Sequence, residues 1–329
     1  MSFVLNQVPG IRITEETRRR VLAAARELNY QPDASARRLV TGRTRILAYV
    51  ERQAAEKAFA DAFLPQVLRG VHDAAHAAGY EVLFAPIPVD EGQARCLGLL
   101  RGRHVDGMIL SGPRSDDEEL GELVAQRAPV VLQGEWPDME VASVDVDNVA
   151  AARTATEHLL RQGHRRVGAI LHGPLVYTAA AARQRGYEQA LEAHGLTMDP
   201  EIVRTADFTP SSGEAAMEDL LASSEPPSAV FVGSDTVAIG ALQAARRRGL
   251  RVPGDLALAG FDDIPLAVYV DPPLTTIRLP AYGIGWAAAN LLIRTIAGEK
   301  VRVNRVILDT ELVVRRSSGA NRSANTRDL

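Results

Sequence analysis

The sequence predicts an α/β protein made of two doubly wound parallel-sheet lobes preceded by a small all-α head. Three observations carry that expectation. From Ile46 onward, short aliphatic and β-branched runs alternate with longer amphipathic stretches. Strands that are apolar almost throughout, and separated by helices, describe a parallel sheet covered on both faces. The 329 residues, 46% hydrophobic and 24% charged, suffice for two globular domains at ~150 residues each. Charge also divides the chain. Residues 1–45 hold nine arginines against Glu15, Glu16, Glu27 and Asp33, a net of +5, which leaves −9 on the remainder of a chain whose total is −4. A basic head on an acidic body suits a polyanion partner for the head and a different partner for the body. A solvated arginine-rich helix accounts for the same charges with no partner at all.

In the head, Thr14 can cap a helix running from Thr17-Arg18 to Leu28, with Val21, Leu22, Ala25 and Leu28 on one face. Asn29-Tyr-Gln-Pro32 ends it, because Pro32 cannot continue the helix and disfavours α at Gln31. A second short helical stretch over 33–40 closes at Thr41-Gly42. The body supplies strand runs at 46–50, 81–84, 107–110, 130–132, 142–146, 167–171, 229–232 and 256–261, enough for two sheets. Between them lie helices such as 65–78, 149–162, 179–194 and 236–248. Residues 317–329 form a polar tail expected to be disordered.

Several function classes drop out. No apolar run approaches the ~18 residues of a membrane span, and no charged-then-apolar leader opens the chain. The single cysteine, Cys96, forms no internal disulfide and fits a reducing cytoplasm; it also removes cysteine-based zinc and iron–sulfur sites. Seven histidines without convincing ligand spacing argue against a metalloenzyme, and no metal or cofactor is expected. Gly283-Ile-Gly285-Trp-Ala-Ala288 mimics a dinucleotide fingerprint, but it follows Pro280 near the end of the chain with no β-α-β unit behind it. Close helix packing is its default reading. No nucleophile elbow or phosphate loop is present. Asp145 and Asp147, two apart, could serve a glycosidase, but nothing else supports one. The chain is not expected to be an enzyme.

Ligands of open parallel sheets bind beyond the carboxyl ends of the strands. The residues just after the apolar runs are Glu51, Ser111, Gln133, Asp145, Asp147, His172, Ser234, Asp235, Asp262 and Asp263. They predict a cleft between two lobes, lined by carboxylates and hydroxyls, suited to the hydroxyls of a sugar or related polar ligand. Helix capping is the alternative, and it fits Ser234-Asp235 well; for Asp262 and Asp263, before Ile264-Pro265, binding gains weight.

Several segments together resemble the lac repressor/gal repressor (LacI/GalR) family of bacterial transcriptional regulators, over residues 1 to about 316. They are Ile13-Thr-Glu-Glu-Thr-Arg-Arg-Arg-Val21, Leu28-Asn-Tyr-Gln-Pro32, Ala36-Arg-Arg-Leu39, Val105-Asp-Gly107, Val144-Asp-Val-Asp-Asn148, Gly163-His-Arg-Arg-Val167 and Arg183-Gln-Arg-Gly-Tyr187. Ser234-Asp-Thr-Val-Ala-Ile-Gly240, Gly249-Leu-Arg-Val-Pro253, Gly260-Phe-Asp-Asp263 and Pro272-Pro-Leu-Thr-Thr276 follow in the family's order. The resemblance implies a helix-turn-helix head with a hinge helix, a periplasmic-binding-protein-like body of two lobes joined by three crossovers, a homodimer on a palindromic operator, and a cleft effector that tunes DNA affinity. The implied division is 1–45 for the head and hinge, 46–163 with 278–299 for the first lobe, and 164–277 with 300–316 for the second.

Carried over residue by residue, Leu39 is the apolar wedge between base steps, with Ala36 beside it and Arg37 and Arg38 near phosphates. Asp33 replaces the usual asparagine. In the cleft, Arg183 matches the effector-contacting arginine, Asp262 the ligand aspartate and Phe208 the stacking aromatic; Phe63, Ser111, Asp147, Tyr177, Ser234 and Tyr282 match further wall positions. Ser234 stands where asparagine is usual, Leu279 where glutamine is common, and the loop from Glu51 to Asp61 is longer, so the effector is a sugar or sugar derivative of unspecified kind. Met1-Ser-Phe-Val-Leu-Asn6 matches only the latter half of the recognition helix. The DNA-facing positions left there are Ser2, Phe3 and Asn6, and a half-built reading head holds DNA weakly. Two readings stay open: a native start upstream of Met1, or a cytoplasmic sugar sensor that no longer binds DNA.

Overall fold

The computed structural model describes residues 4, 13–28, 42–88, 95–137, 139–299 and 305–319. The expectations for Ser2, Phe3, Asn6, Ala36, Arg37, Arg38 and Leu39, and the short helix over 33–40, lie outside them. In the head, α1 (Glu15–Glu27) starts where Thr14 accepts the Thr17 amide at 3.3 Å, and Glu15 and Glu16 occupy its positive end.

The first sheet is built from β1 (Ile46–Glu51), β2 (Glu81–Pro86), β3 (Gly107–Ser111), β4 (Val130–Gln133) and β5 (Ser143–Val146), with α2 (Ala55–Ala60), α3 (Leu64–Ala77), α4 (Arg95–Arg101) and α5 (Glu118–Ala125) between strands. After α6 (Asn148–Arg161) come β6 (Val167–Leu171), α7 (Thr178–Ala193), β7 (Val203–Thr205), α8 (Pro210–Leu221), β8 (Ala229–Val232), α9 (Asp235–Arg247), β9 (Ala257–Asp262) and β10 (Thr275–Arg278). The chain ends with α10 (Ala281–Ile296), β11 (Arg305–Leu308), β12 (Glu311–Val313) and a 3₁₀ turn, Arg316–Ser318.

One sheet runs β11-β5-β4-β3-β1-β2 and is parallel throughout. The other runs β12-β10-β9-β8-β6-β7, with only β12 antiparallel. Strand alternation sends Leu47 and Tyr49 to one core and Ala48 and Val50 to another, so both faces of the sheet are buried under helices. The chain passes between the sheets three times: after β5, after β10, and between β11 and β12.

The helices pack closely in pairs, α3 on α10, α6 on α7 and α8 on α9. Glycines permit this. A Cβ at Gly240 of α9 would stand 1.7 Å from the Pro210 carbonyl oxygen of α8, and one at Gly285 of α10 would stand 2.1 Å from that of Val67 in α3. The fingerprint-like glycine of α10 is therefore a helix-crossing point.

The structure redraws three expected boundaries. The resemblance implies that residues 300–316 belong to the second lobe, yet β11 pairs with β5 in the first sheet while β12 pairs with β10 in the second. Helix α6, placed with the first lobe, packs on α7 and on β8, β9 and β10 because it follows the first crossing. The tail does not begin at 317. Ser317 and Ser318 are buried: Ser317 donates to the Leu258 carbonyl at 2.8 Å, and Ser318 Oγ lies 2.8 Å from His158 Nε2.

Candidate functional site

The carboxyl ends of both sheets face each other across a cavity of about 130 Å³. The first lobe contributes Tyr49, Glu51 and Gln53 from the end of β1, Asp61 and Phe63 from the loop before α3, Ser111 after β3 and Gln133 after β4. β5 contributes Asp145, and the start of α6 contributes Asn148. From the second lobe come His172 after β6, Tyr177 at the start of α7, Arg183 one turn and a half along it, Phe208 before α8, Ser234 before α9 and Asp262 at the end of β9.

Arg183 organises the centre. It donates Nε–H to Asn148 Oδ1 at 2.9 Å and Nη1–H to the Gly233 carbonyl, and Nη1 lies 3.7 Å from Asp262. Its guanidinium lies 3.8 Å from the ring centroid of Phe261. It is 7% exposed, and burial holds its pKa below the usual arginine value against the opposing pull of Asp262. A buried cation held by neutral acceptors and an aromatic face keeps a donor fixed at the cavity wall.

Around it the carboxyls outnumber the cation. Burial pushes Glu51 and Asp262 up to about 7 and Asp145 up to about 6, and it raises Asp61 as well. Three of the four are partly satisfied by hydrogen bonds: Asp61 accepts the Phe63 amide at 3.0 Å, Asp145 the Asn148 side chain at 3.1 Å, and Glu51 the Gln53 side chain at 3.3 Å.

The second lobe adds an aromatic wall. Phe208 meets His172 edge-on at 5.4 Å and Tyr177 at 4.9 Å between ring centroids. Its backbone is left-handed, φ +72°, held by its amide bonding the His172 carbonyl at 2.8 Å. Gly173 leaves room for the ring, since a Cβ there would lie 2.4 Å from Phe208 Cζ. Asp262 is left-handed too, φ +116°. Strain of about 1–3 kcal/mol at such non-glycine residues gathers where a side chain must be aimed. Asp263 anchors this segment through Arg278 at 2.8 Å and Arg315 at 2.6 Å.

Two buried polar atoms of the cleft, His172 Nδ1 and Gln53 Oε1, have no hydrogen-bond partner among the described residues. Unpaired buried atoms of this kind are costly unless something fills the cavity. Burial drives the His172 pKa well below the usual imidazole value, so the ring is neutral and offers one donor and one acceptor. The lobes touch beside the cavity: Ser115 N–H bonds the Val176 carbonyl at 2.8 Å, Tyr177 OH bonds the Arg52 carbonyl at 3.4 Å, and Lys57 pairs with Asp207 at 3.4 Å.

The structure brings Phe63, Ser111, Tyr177, Arg183, Phe208, Ser234 and Asp262 into this one cleft. It does not bring Tyr282 or Asp147. Tyr282 lies on the face of α10 toward α3, bonds Asp73 at 3.2 Å, stacks on Trp286 and carries the Arg69 guanidinium at 4.9 Å, because the face of α10 that meets the cavity is the one bearing Ile284, two residues and about 200° further round the helix. Asp147 caps α6, accepting the Ala150 amide at 2.9 Å, and opens onto a neighbouring chamber. Asp235 does not cap the helix and does not line the cavity. It is fully buried and staples Thr276 at 2.7 Å to the Ile264 amide at 3.1 Å, while Ser234 caps the helix. The strand-end rule reaches Glu51, Gln133, Asp145 and His172 but misses Tyr49, Gln53, Asp61 and Asn148. Tyr49, bonded to Gln133 at 2.7 Å, sits inside a strand; Asp61 sits on a loop with no local pattern.

Residues 156–318 match the periplasmic binding protein-like domain. The HTH-type transcriptional repressor CytR of Escherichia coli K12 is 36% identical over 311 residues, 94% of this chain and 89% of that protein. Among solved structures, a complex of the transcriptional regulator CelR with cellobiose superposes with a TM-score of 0.79 at 35% identity, covering 96% of this chain and 94% of the other. The lac repressor dimer bound to operator and the anti-inducer ONPF superposes with a TM-score of 0.83 at 25% identity and the same coverage.

Proposed function

Since the chain belongs to the LacI family of transcriptional regulators, we propose that it is a ligand-responsive repressor whose cleft takes a sugar or sugar derivative. The observation that carries this reading is the buried Arg183, fixed amid Glu51, Asp61, Asp145 and Asp262 beside the Phe208 ring. Vicinal hydroxyls donate to carboxylates and accept from arginine in the same plane, and the apolar face of a pyranose rests on an aromatic ring. His172 Nδ1 and Gln53 Oε1 then gain hydrogen-bond partners.

The protein acts in the cytoplasm as a homodimer on a palindromic operator. Ser2, Phe3 and Asn6 face the major groove; Leu39 wedges between base steps from the minor groove, with Ala36 beside it and Arg37 and Arg38 on phosphates. Closing the lobes on ligand shifts the dimer interface and with it the hinge. Coupling is reciprocal, so a ligand that weakens operator binding is itself held less tightly by the DNA-bound form.

The test uses protein purified from its own organism. A panel of neutral sugars is screened by thermal shift, and duplexes selected from a randomised library are titrated by fluorescence anisotropy with and without the sugar that binds. A selected palindrome whose affinity moves on sugar addition is the expected result. Failure of every sugar to bind, or bound sugar without effect on DNA affinity, overturns the proposal.

A further inference from the structure

The Val105-Asp-Gly107 motif plays no part in the cleft, because it sits at the opposite end of β3. There Asp106 holds the place where the chain enters the body. Its Oδ1 accepts the Thr44 amide at 2.6 Å and the Thr44 hydroxyl at 2.9 Å, and its Oδ2 accepts the Arg45 amide at 3.0 Å. Thr44 Oγ1 in turn accepts the Ile46 amide at 3.1 Å. Three successive amides at the entrance to β1 are thus held by side chains, two of them by a carboxylate, which makes the stronger class of hydrogen bond. The Asp106 amide donates back to the Ile46 carbonyl at 2.8 Å. Arg45 is left-handed, φ +58°; its carbonyl accepts the Glu81 amide at 2.9 Å, and its guanidinium lies 5.0 Å from the Tyr80 ring centroid. A non-glycine residue stays in that region only where its surroundings over-determine it.

Two neighbouring strands tie this junction to the cleft. β1 runs from it to Glu51, and β3, paired beside β1, runs from Asp106 to Ser111. β3 is buried throughout and β1 from Leu47 onward, so Glu51, Ser111 and the junction belong to one packed unit. Among the described residues, α1 has no extensive packing on an element of the body. The chain at Thr44 and Arg45 is then the route from body to head. We infer that Asp106 is the positioning residue through which the first lobe fixes the direction of the chain leading to the head, and so carries the effect of bound sugar to operator affinity. The inference rests on the repressor reading above. Without the Asp106 carboxylate the first lobe still pairs β1 with β3 and still meets sugar, but the chain ahead of Ile46 pivots, and the lobe states present the head alike. Coupling between the sites is lost while the sugar site keeps its own affinity. A clamp that served only the stability of the strand ends would leave that coupling in place.

The experiment measures operator affinity by fluorescence anisotropy on a palindromic duplex selected from a randomised library, with and without glucose, galactose, mannose and cellobiose in turn. Isothermal titration gives the affinity for each sugar. Wild type is purified from its own organism, and the variants are expressed there at full length. In wild type a sugar that binds should shift operator affinity by about 5–150-fold, the usual span of such coupling. Asp106→Ala should cut that shift to less than about threefold and hold sugar affinity within about twofold of wild type. Thr44→Val removes two of the junction's hydrogen bonds and should reduce the shift in part, whereas Thr44→Ser keeps both and should preserve it. That pair keeps the test valid should Asp106→Ala disturb the fold. A shift of wild-type size in Asp106→Ala, or in Thr44→Val where Asp106→Ala does not fold, overturns the inference and leaves the repressor reading standing. Sugar affinity that falls along with the shift overturns it too. Absence of binding by all four sugars, or binding without a shift in wild type, removes the repressor reading and this inference with it.

Discussion

Glu51→Gln isolates the cost of a buried carboxylate at the end of β1. Glu51 is 6% exposed, and burial raises its pKa from 4.5 to about 7. A carboxyl whose pKa is raised by folding binds its proton more tightly in the native state, so its contribution to stability falls as pH rises from 4.5 to 7 and levels off above. The full shift corresponds to about 3 kcal/mol at 1.36 kcal/mol per unit. Between pH 5 and pH 8 the wild-type side chain loses about 2.5 kcal/mol of that. Glutamine keeps the shape, accepts from Gln53 as the carboxyl does, and does not titrate. The variant should match wild type to within about 1 kcal/mol at pH 5 and exceed it by about 2–3 kcal/mol at pH 8. Urea denaturation at the two pH values measures both differences. The same pH slope in wild type and variant would show that Glu51 is solvated in the native protein, and the electrostatic account of the cleft would fail at its base.

Arg183→Leu leaves Asp262 and Asp145 buried without their cation, which should cost about 3–5 kcal/mol at pH 8. The loss should shrink as pH falls below the value of about 7 at which Asp262 takes up a proton; a pH-independent loss would mean that the arginine serves packing alone. Arg52 lies 2% exposed behind the cleft, 2.7 Å from Asp117 and 3.4 Å from Glu119, and Arg52→Met should destabilise by about 3–5 kcal/mol in a denaturant titration. Adding Asp117→Asn and Glu119→Gln should recover much of that, and no recovery would locate the cost in shape rather than charge. Gly240→Ala drives a methyl into the Pro210 carbonyl oxygen and should cost about 1–3 kcal/mol, lowering the melting temperature by several degrees. An unchanged melting temperature would refute the close crossing of α8 and α9.

Much of this molecule is written locally. Apolar runs spaced by amphipathic stretches dictate parallel strands and covering helices, because period-2 and period-3.6 burial are properties of the backbone itself. The helices over 65–78, 149–162, 179–194 and 236–248 are each found one residue earlier than expected; for the second and fourth, the capping side chains of Asp147 and Ser234 set the start and the helix begins just after them. Arg183, Asp262 and Phe208 are legible through motifs and through the rule that sites gather at strand ends. Distance in three dimensions is another matter. No local pattern tells that Asp61 faces Arg183 while Tyr282 turns toward Asp73, because that depends on where the chain crosses between the sheets. The same crossings divide β11 from β12, carry α6 to the second lobe and bury Ser317. The sequence by itself determined the two sheets, the family and most of the cleft. Only the tertiary structure decided which side chains share the low-dielectric space between the lobes, where burial rather than residue type raises the carboxyls toward neutrality and leaves His172 Nδ1 without a hydrogen-bond partner among the described residues.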